Sequence, residues 1–241
     1  MNSITLKNGE PFFYFDYIDK FTPDDLNKKI SIETYEKLSN LIEELNFKSV
    51  TFNSNPIRIL DKIEPFEVIE PEETIYFKYT NIETVKREIP EQYLWLIDKI
   101  LSYRWPNYWK YTSLDFFIKK VKKGECSSNT VWHWDGRDYN FQKPDRYTLF
   151  HTTVESKTKF IINKQIWLYN DKIEKGKAIN EGFNPELTKM EQLKQFQIQE
   201  VEPYTFVQYD SLNLHRAQRA SDDCVRLFLR MCESDHIQPR L

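Results

Sequence analysis

The chain has 241 residues, 40% of them hydrophobic and 15% aromatic, with only five glycines. That is enough for one large domain or two small ones around a substantial core, and it argues against widespread disorder. The formal charge is −3, from 34 basic and 37 acidic residues without a long basic block, which points away from duplex nucleic acid, although a local patch would survive such a balance. The opening "MNSITLKNGEPFF" lacks the basic start and apolar run of a secretion signal, and no stretch reaches the roughly 18 apolar residues of a membrane span. Cys126, Cys224 and Cys232 form no CxxC and leave one over in any disulfide scheme. A reduced, cytoplasmic protein with no membrane partner is expected.

The first hundred residues read as helix-rich. In "SIETYEKLSNLIEEL" (31–45), Ile32, Tyr35, Leu38, Leu41, Ile42 and Leu45 share one helical face, with Ser31 as N-cap. "EQYLWLIDKILSYRW" (91–105) repeats the pattern with Leu94, Ile97 and Leu101, and Pro106 marks its end. Both are most simply packing helices. After Pro106 the character changes. "SLDFFIKKV", "RYTLFHTTV", "KFIINKQIWLY", "YTFVQYD" and "VRLFLRMC" are short, aromatic and β-branched, and read as strands. A helical insertion over about 170–199, near "PELTKMEQLKQF", interrupts them. Short strands without alternating helices predict a mainly β fold, an antiparallel sandwich or barrel with N-terminal helices. No Gly/Ser/Pro linker is visible, so a single domain over 1–241 is expected, its helix-rich part at 1–110 packing on a β core at 111–235.

The stretch "TVWHWDGRDYN" (130–140) sets His133 two residues before Asp135, between Trp132 and Trp134. A lone His-x-Asp is a weak motif, as often a hydrogen-bonded polar couple as a metal site. His215 follows 82 residues later, where the strand "YTFVQY" runs into a turn at "DSLN". Two histidines and one carboxylate from separate β elements can occupy one face of an octahedral metal and leave three positions open. That suits non-haem Fe(II), with a bidentate cosubstrate and O2 in the open positions. In "CVRLFLRMC" alternation puts Val225, Leu227, Leu229 and Met231 on one side and Arg226, Phe228 and Arg230 on the other. Two arginines on an otherwise apolar strand demand anionic partners. Either could hold the distal carboxylate of a dicarboxylate in a bidentate fork, or pair structurally with Glu202 or Asp210.

"HWD", "YTFVQYDSLNLHRA" and "RLFLR" together resemble the Fe(II)/2-oxoglutarate-dependent oxygenases of the double-stranded β-helix (jelly-roll, cupin-like) type, nearest in pattern to the phytanoyl-CoA and taurine dioxygenase branches. The resemblance covers about residues 113 to 234. It implies His133, Asp135 and His215 as iron ligands and Arg226 as the 2-oxoglutarate-binding residue, with Arg230 as the other candidate. The family often has a cosubstrate-holding threonine some twenty residues after the aspartate; Thr158 fits, but Ser156 and Lys157 stand where glycines commonly precede it. The implied enzyme is a dioxygenase (hydroxylase) that uses Fe(II), 2-oxoglutarate and O2. It oxidises an unactivated C–H bond of a small molecule or peptidyl side chain and releases succinate and CO2. Asp135 fits hydroxylation or a related oxidation, since halogenating relatives carry a small residue at that place; desaturation, demethylation and ring closure stay open.

Two other classes fit the same residues. One is a cupin-like metal protein without oxygenase activity that recognises a sugar, peptide or nucleotide. The other is an interaction module whose arginine face binds an anionic partner. Among the remaining candidates, His151 reads as a core or pocket histidine and His236 as exposed. Trp132 and Trp134 read as packing around the ligand, and Arg137, Tyr139 and Arg146 as solvated loop at the entrance.

Overall fold

In a computed structural model of the chain, residues 57–133, 135, 143–162, 197–211 and 213–241 are described in full, and the strands at 2–5, 11–14, 49–52 and 166–169 by their backbone pairing. In chain order the strands are β1 (Asn2–Thr5), β2 (Pro11–Tyr14), β3 (Ser49–Phe52), β4 (Arg58–Lys62), β5 (Ile75–Thr80), β6 (Tyr111–Val121) and β7 (Arg146–His151). They continue as β8 (Thr158–Ile161), β9 (Ile166–Tyr169), β10 (Ile198–Glu200), β11 (Thr205–Asp210), β12 (His215–Ala217) and β13 (Cys224–Ser234). Helices α1 (Ile82–Glu88) and α2 (Leu94–Leu101) lie between β5 and β6, α2 being preceded by a 3-10 turn at Glu91–Tyr93. The architecture is mainly β, and no helix among the described residues is long and apolar enough to cross a membrane.

Backbone contacts divide the chain into two compact units. Residues 1–55 and 162–197 form the first, and 56–161 with 198–241 form the second. The described part of the first unit is a four-stranded sheet of order β1-β2-β9-β3, in which β2 and β9 run parallel and the other pairs antiparallel. The helix expected at 31–45 and the one near 185–196 lie outside the described residues.

The second unit has two antiparallel sheets, one of order β4-β11-β7-β13-β6-β5 and a smaller one of order β10-β8-β12. Its spine is the eleven-residue pairing of β13 with β6, from Cys224 opposite Val121 to Ser234 opposite Tyr111. One face of the large sheet makes the core. Leu114, Phe116 and Ile118 of β6 and Leu227, Leu229 and Met231 of β13 pack there with Val85, Leu96, Ile97 and Ile100 of the two helices. Strand alternation sends Asp115, Phe117, Arg226, Phe228 and Arg230 to the other face. The expected alternation of the arginine strand is therefore present, and the expected helix at 91–105 is present as the 3-10 turn and α2. Asn81 caps α1, its Oδ1 accepting the Thr84 N–H at 2.7 Å.

The expectation that residues 1–100 are helix-rich is corrected for the residues described, since five strands precede α1. Two of them, β4 and β5, are the edges of the large sheet. An edge strand takes its order from a backbone ladder on one side, so its side chains need not alternate cleanly: β4 does not, and both edges leave a large apolar side chain, Ile59 or Tyr76, about 60% exposed. Arg146 is corrected too. It opens β7 and is buried against Glu233, which accepts from its Nε at 2.7 Å, with the guanidinium over the rings of Trp105 and Trp109. The entrance candidates Arg137 and Tyr139, and Trp134, lie outside the described residues.

Candidate metal centre

His133 and His215 are joined through their backbones. Each N–H donates to the other's carbonyl at 3.0 Å, a hydrogen-bonded antiparallel bridge at the margin of the small sheet. Residues opposed in this way project to the same face, and the two imidazole rings lie 4.4 Å apart. His215 is delivered as foreseen, by a turn after β11 in which Asn213 Oδ1 accepts the Asp210 N–H at 3.0 Å and the Asn213 N–H returns to the Asp210 carbonyl.

Both imidazoles are held by main-chain carbonyls at the same ring atom. Nδ1 of His133 donates to Val131 at 2.8 Å, and Nδ1 of His215 to Asn213 at 3.0 Å. This orients both rings and turns each Nε2 toward the other side chains of the group. Asp135 completes the group, its Oδ2 lying 3.1 Å from His215 Nε2. One ligand atom from each of the three side chains falls within 4.8 Å of the others. Burial opposes the charge of Asp135, yet Arg230 and His215 hold its carboxyl well below the usual carboxylate range. Burial, then the neighbouring His215, pushes His133 down to about 4, so it stays neutral near pH 7. For His133 and Asp135, a neutral imidazole and an ionised carboxylate are the forms a divalent cation requires. The donor set fits such an ion.

The structure places the two arginines in different roles. Arg230 is taken up by carboxylates: its Nε and Nη2 donate to Asp115 Oδ2 at 3.0 and 2.5 Å, and its Nη1 donates to Asp135. Tyr209 adds an O–H bond to Asp135 at 2.8 Å. Glu202, considered above as a partner, bonds Lys157 instead. Arg226 is fully buried and donates only to hydroxyls, those of Ser127, Ser156 at 3.1 Å and Thr158 at 3.4 Å, with its guanidinium over the Phe228 ring. Its Nε has no partner, and no carboxylate pairs with it among the described residues. Burial pulls its pKa down to about 10, so the charge remains at neutral pH.

Beside His133, Asp135 and His215 opens a cavity of about 320 Å³. Ser127 and Thr158, the hydroxyls in front of Arg226, line it along with Arg230, Asp115 and Tyr209. His151 is fully buried with Nε2 toward the Val201 carbonyl and is no part of this lining, while His236 is exposed. Trp132 is buried as packing, with the Arg216 guanidinium over its ring. Sequence reasoning missed Asp115, Tyr209 and Ser127. The signal for Asp115 was an acidic residue inside the aromatic run "SLDFFIKKV"; Tyr209 and Ser127 carried none. No family model matches the chain and no curated protein matches it, so the likeness to the oxygenases rests on the residues of the site.

Proposed function

We propose that this chain is an Fe(II)- and 2-oxoglutarate-dependent dioxygenase that hydroxylates an unactivated C–H bond of a small molecule or peptidyl side chain. One observation carries the reading: two imidazoles and one carboxylate, from distant parts of the chain, converge with one potential ligand atom each within 4.8 Å of the others, beside a cavity. Three protein ligands on one side leave the other coordination positions to a chelating keto acid and O2. With iron bound, the centre would supply decarboxylation of 2-oxoglutarate to succinate and CO2, coupled to insertion of one atom of O2 into the C–H bond.

The chain's own residues have separate tasks. The Val131 and Asn213 carbonyls orient the imidazoles, while Arg230 and Tyr209 hold Asp135 through Oδ2. Arg226, with the hydroxyls of Ser127 and Thr158, would receive the far carboxylate of the cosubstrate. A buried guanidinium without an anion is costly, and a bound dicarboxylate supplies one. This favours the oxygenase over a cupin-like site that needs only the metal. A docking face built on the arginines is disfavoured because both are buried.

A double-stranded β-helix is the fold we propose for the second unit. Its support is the way the chain crosses between the two sheets: β6 in the large one, the His133 bridge to the small one, β7 large, β8 and β10 small, β11 large, β12 small and β13 large.

The test is Fe(II)-dependent succinate formation from 2-oxoglutarate, screened over amino acids, peptides and nucleosides. Replacing His133, Asp135 or His215 with Ala abolishes it; full turnover in any of the three removes that residue from the ligand set. Arg226→Ala raises the 2-oxoglutarate requirement more than Arg230→Ala does, and the reverse order would exchange their roles.

A further inference from the structure

Strand β5 leaves regular geometry at Lys78 and Tyr79. Its register with β6 shifts between Phe77 and Thr80, and Tyr79 has φ 49°, in the left-handed region that a bulky aromatic residue rarely enters. Asp115 Oδ1 accepts the Tyr79 N–H at 2.6 Å, so the carboxylate that anchors Arg230 also pins this bulge. Backbone held in such a conformation by its surroundings points to use. Here the bulge sets the Tyr79 side chain in the cavity wall. Its hydroxyl oxygen accepts from Arg230 Nη2 at 3.5 Å, while the O–H proton has no acceptor among the described residues. Burial pushes the phenol well above its ordinary range, so the proton stays on.

Lys78, the other residue of the bulge, lines the same cavity at an exposed position, and no carboxylate pairs with its ammonium among the described residues. The wall beside them is apolar. Tyr76, Phe117 and Phe228 face one another in register across β5, β6 and β13. The Phe117 and Phe228 rings stack 4.7 Å apart and 4° from coplanar, and Tyr76 continues the row at 6.3 Å.

The geometry points to a small carboxylate with an apolar body as the substrate class, its oxygens meeting the Tyr79 O–H and the Lys78 ammonium and its body lying along the Phe117–Phe228 wall. This rests on the reading of the cavity as the substrate side of an oxygenase centre. An O–H donor left without a protein acceptor in a cavity wall is suited to a ligand oxygen. The adjacent cation selects an anionic oxygen over a neutral one.

The test measures binding of phenylacetate, 3-phenylpropionate and 4-phenylbutyrate, each against its neutral amide, by titration calorimetry on the full chain. The titrations are run metal-free and again anaerobically with Fe(II) and 2-oxoglutarate present. At least one acid is expected to bind about tenfold more tightly than its amide. Tyr79→Phe should cut that preference about tenfold, and Lys78→Gln about threefold. An absence of acid preference in all three pairs overturns the inference. So does a preference that ignores both substitutions and falls only with Arg226→Met, since the acid then sits at the cosubstrate corner. A preference that follows Tyr79 and Lys78 in a chain that fails to bind Fe(II) supports this inference while the oxygenase reading fails.

Discussion

Asp135 is the residue on which the centre turns, and its carboxylate is held from several directions. His215 lies 3.1 Å away, Tyr209 donates to the same oxygen, and Arg230 bridges it to Asp115. Two buried carboxylates sharing one guanidinium are stable only while the cation stays. Arg230→Met is therefore expected to cost about 3–5 kcal/mol in urea unfolding of the metal-free chain. Fe(II) or Zn(II) should restore part of that loss by neutralising Asp135; an unchanged midpoint would remove Arg230 from this role. His133, Asp135, His215 and Arg226 were legible because their residue types are rare or costly at those places. Asp115 and Tyr209 were not. Their significance comes from cross-strand register, Asp115 standing opposite Arg230, and register is set by pairing that no single segment encodes.

Strand β13 joins the core to the centre, because its two faces do different work. Leu227, Leu229 and Met231 pack with the helices, while Arg226, Phe228 and Arg230 lie on the opposite face, that of the cavity beside His133, Asp135 and His215. Leu229→Ala should cost about 2–5 kcal/mol through the cavity it leaves, while metal affinity measured by titration stays within about threefold. A large loss of metal affinity would show that the two faces are not independent. The longer strands, β6, β7, β11 and β13, were legible from runs of aromatic and β-branched residues. Strands β4, β10 and β12 were not, being three to five residues long and ordered by backbone pairing to their neighbours. Helix α1 escaped for a related reason, since seven residues hold less than two full periods.

For the whole molecule, the sequence conveyed the mainly β character after Pro106 but not the strands before α1. Amphipathic runs such as 91–105 dominated the reading of that half, whereas edge strands carry weak patterns. Global stability should also respond to pH through His151, which is fully buried. Burial first, and then the Arg226 charge, pushes its pKa well below the usual value. The unfolded chain takes up a proton below about pH 6.5 that the folded chain refuses, so the His151 contribution is present above that pH and lost on acidification. The slope is at most about 1.4 kcal/mol per pH unit. Urea midpoints of the metal-free chain between about pH 7.5 and pH 5 should fall less steeply in His151→Gln than in the parent. Parallel slopes would contradict the assignment.

Anaerobic titration of the full chain with Fe(II), followed by 2-oxoglutarate, bears most directly on the convergence of His133, Asp135 and His215. The account predicts a single bound ferrous ion and a visible charge-transfer band on adding the keto acid, both lost in His215→Ala. Failure to bind Fe(II), or a band that persists after each of the three residues is replaced in turn, would contradict it.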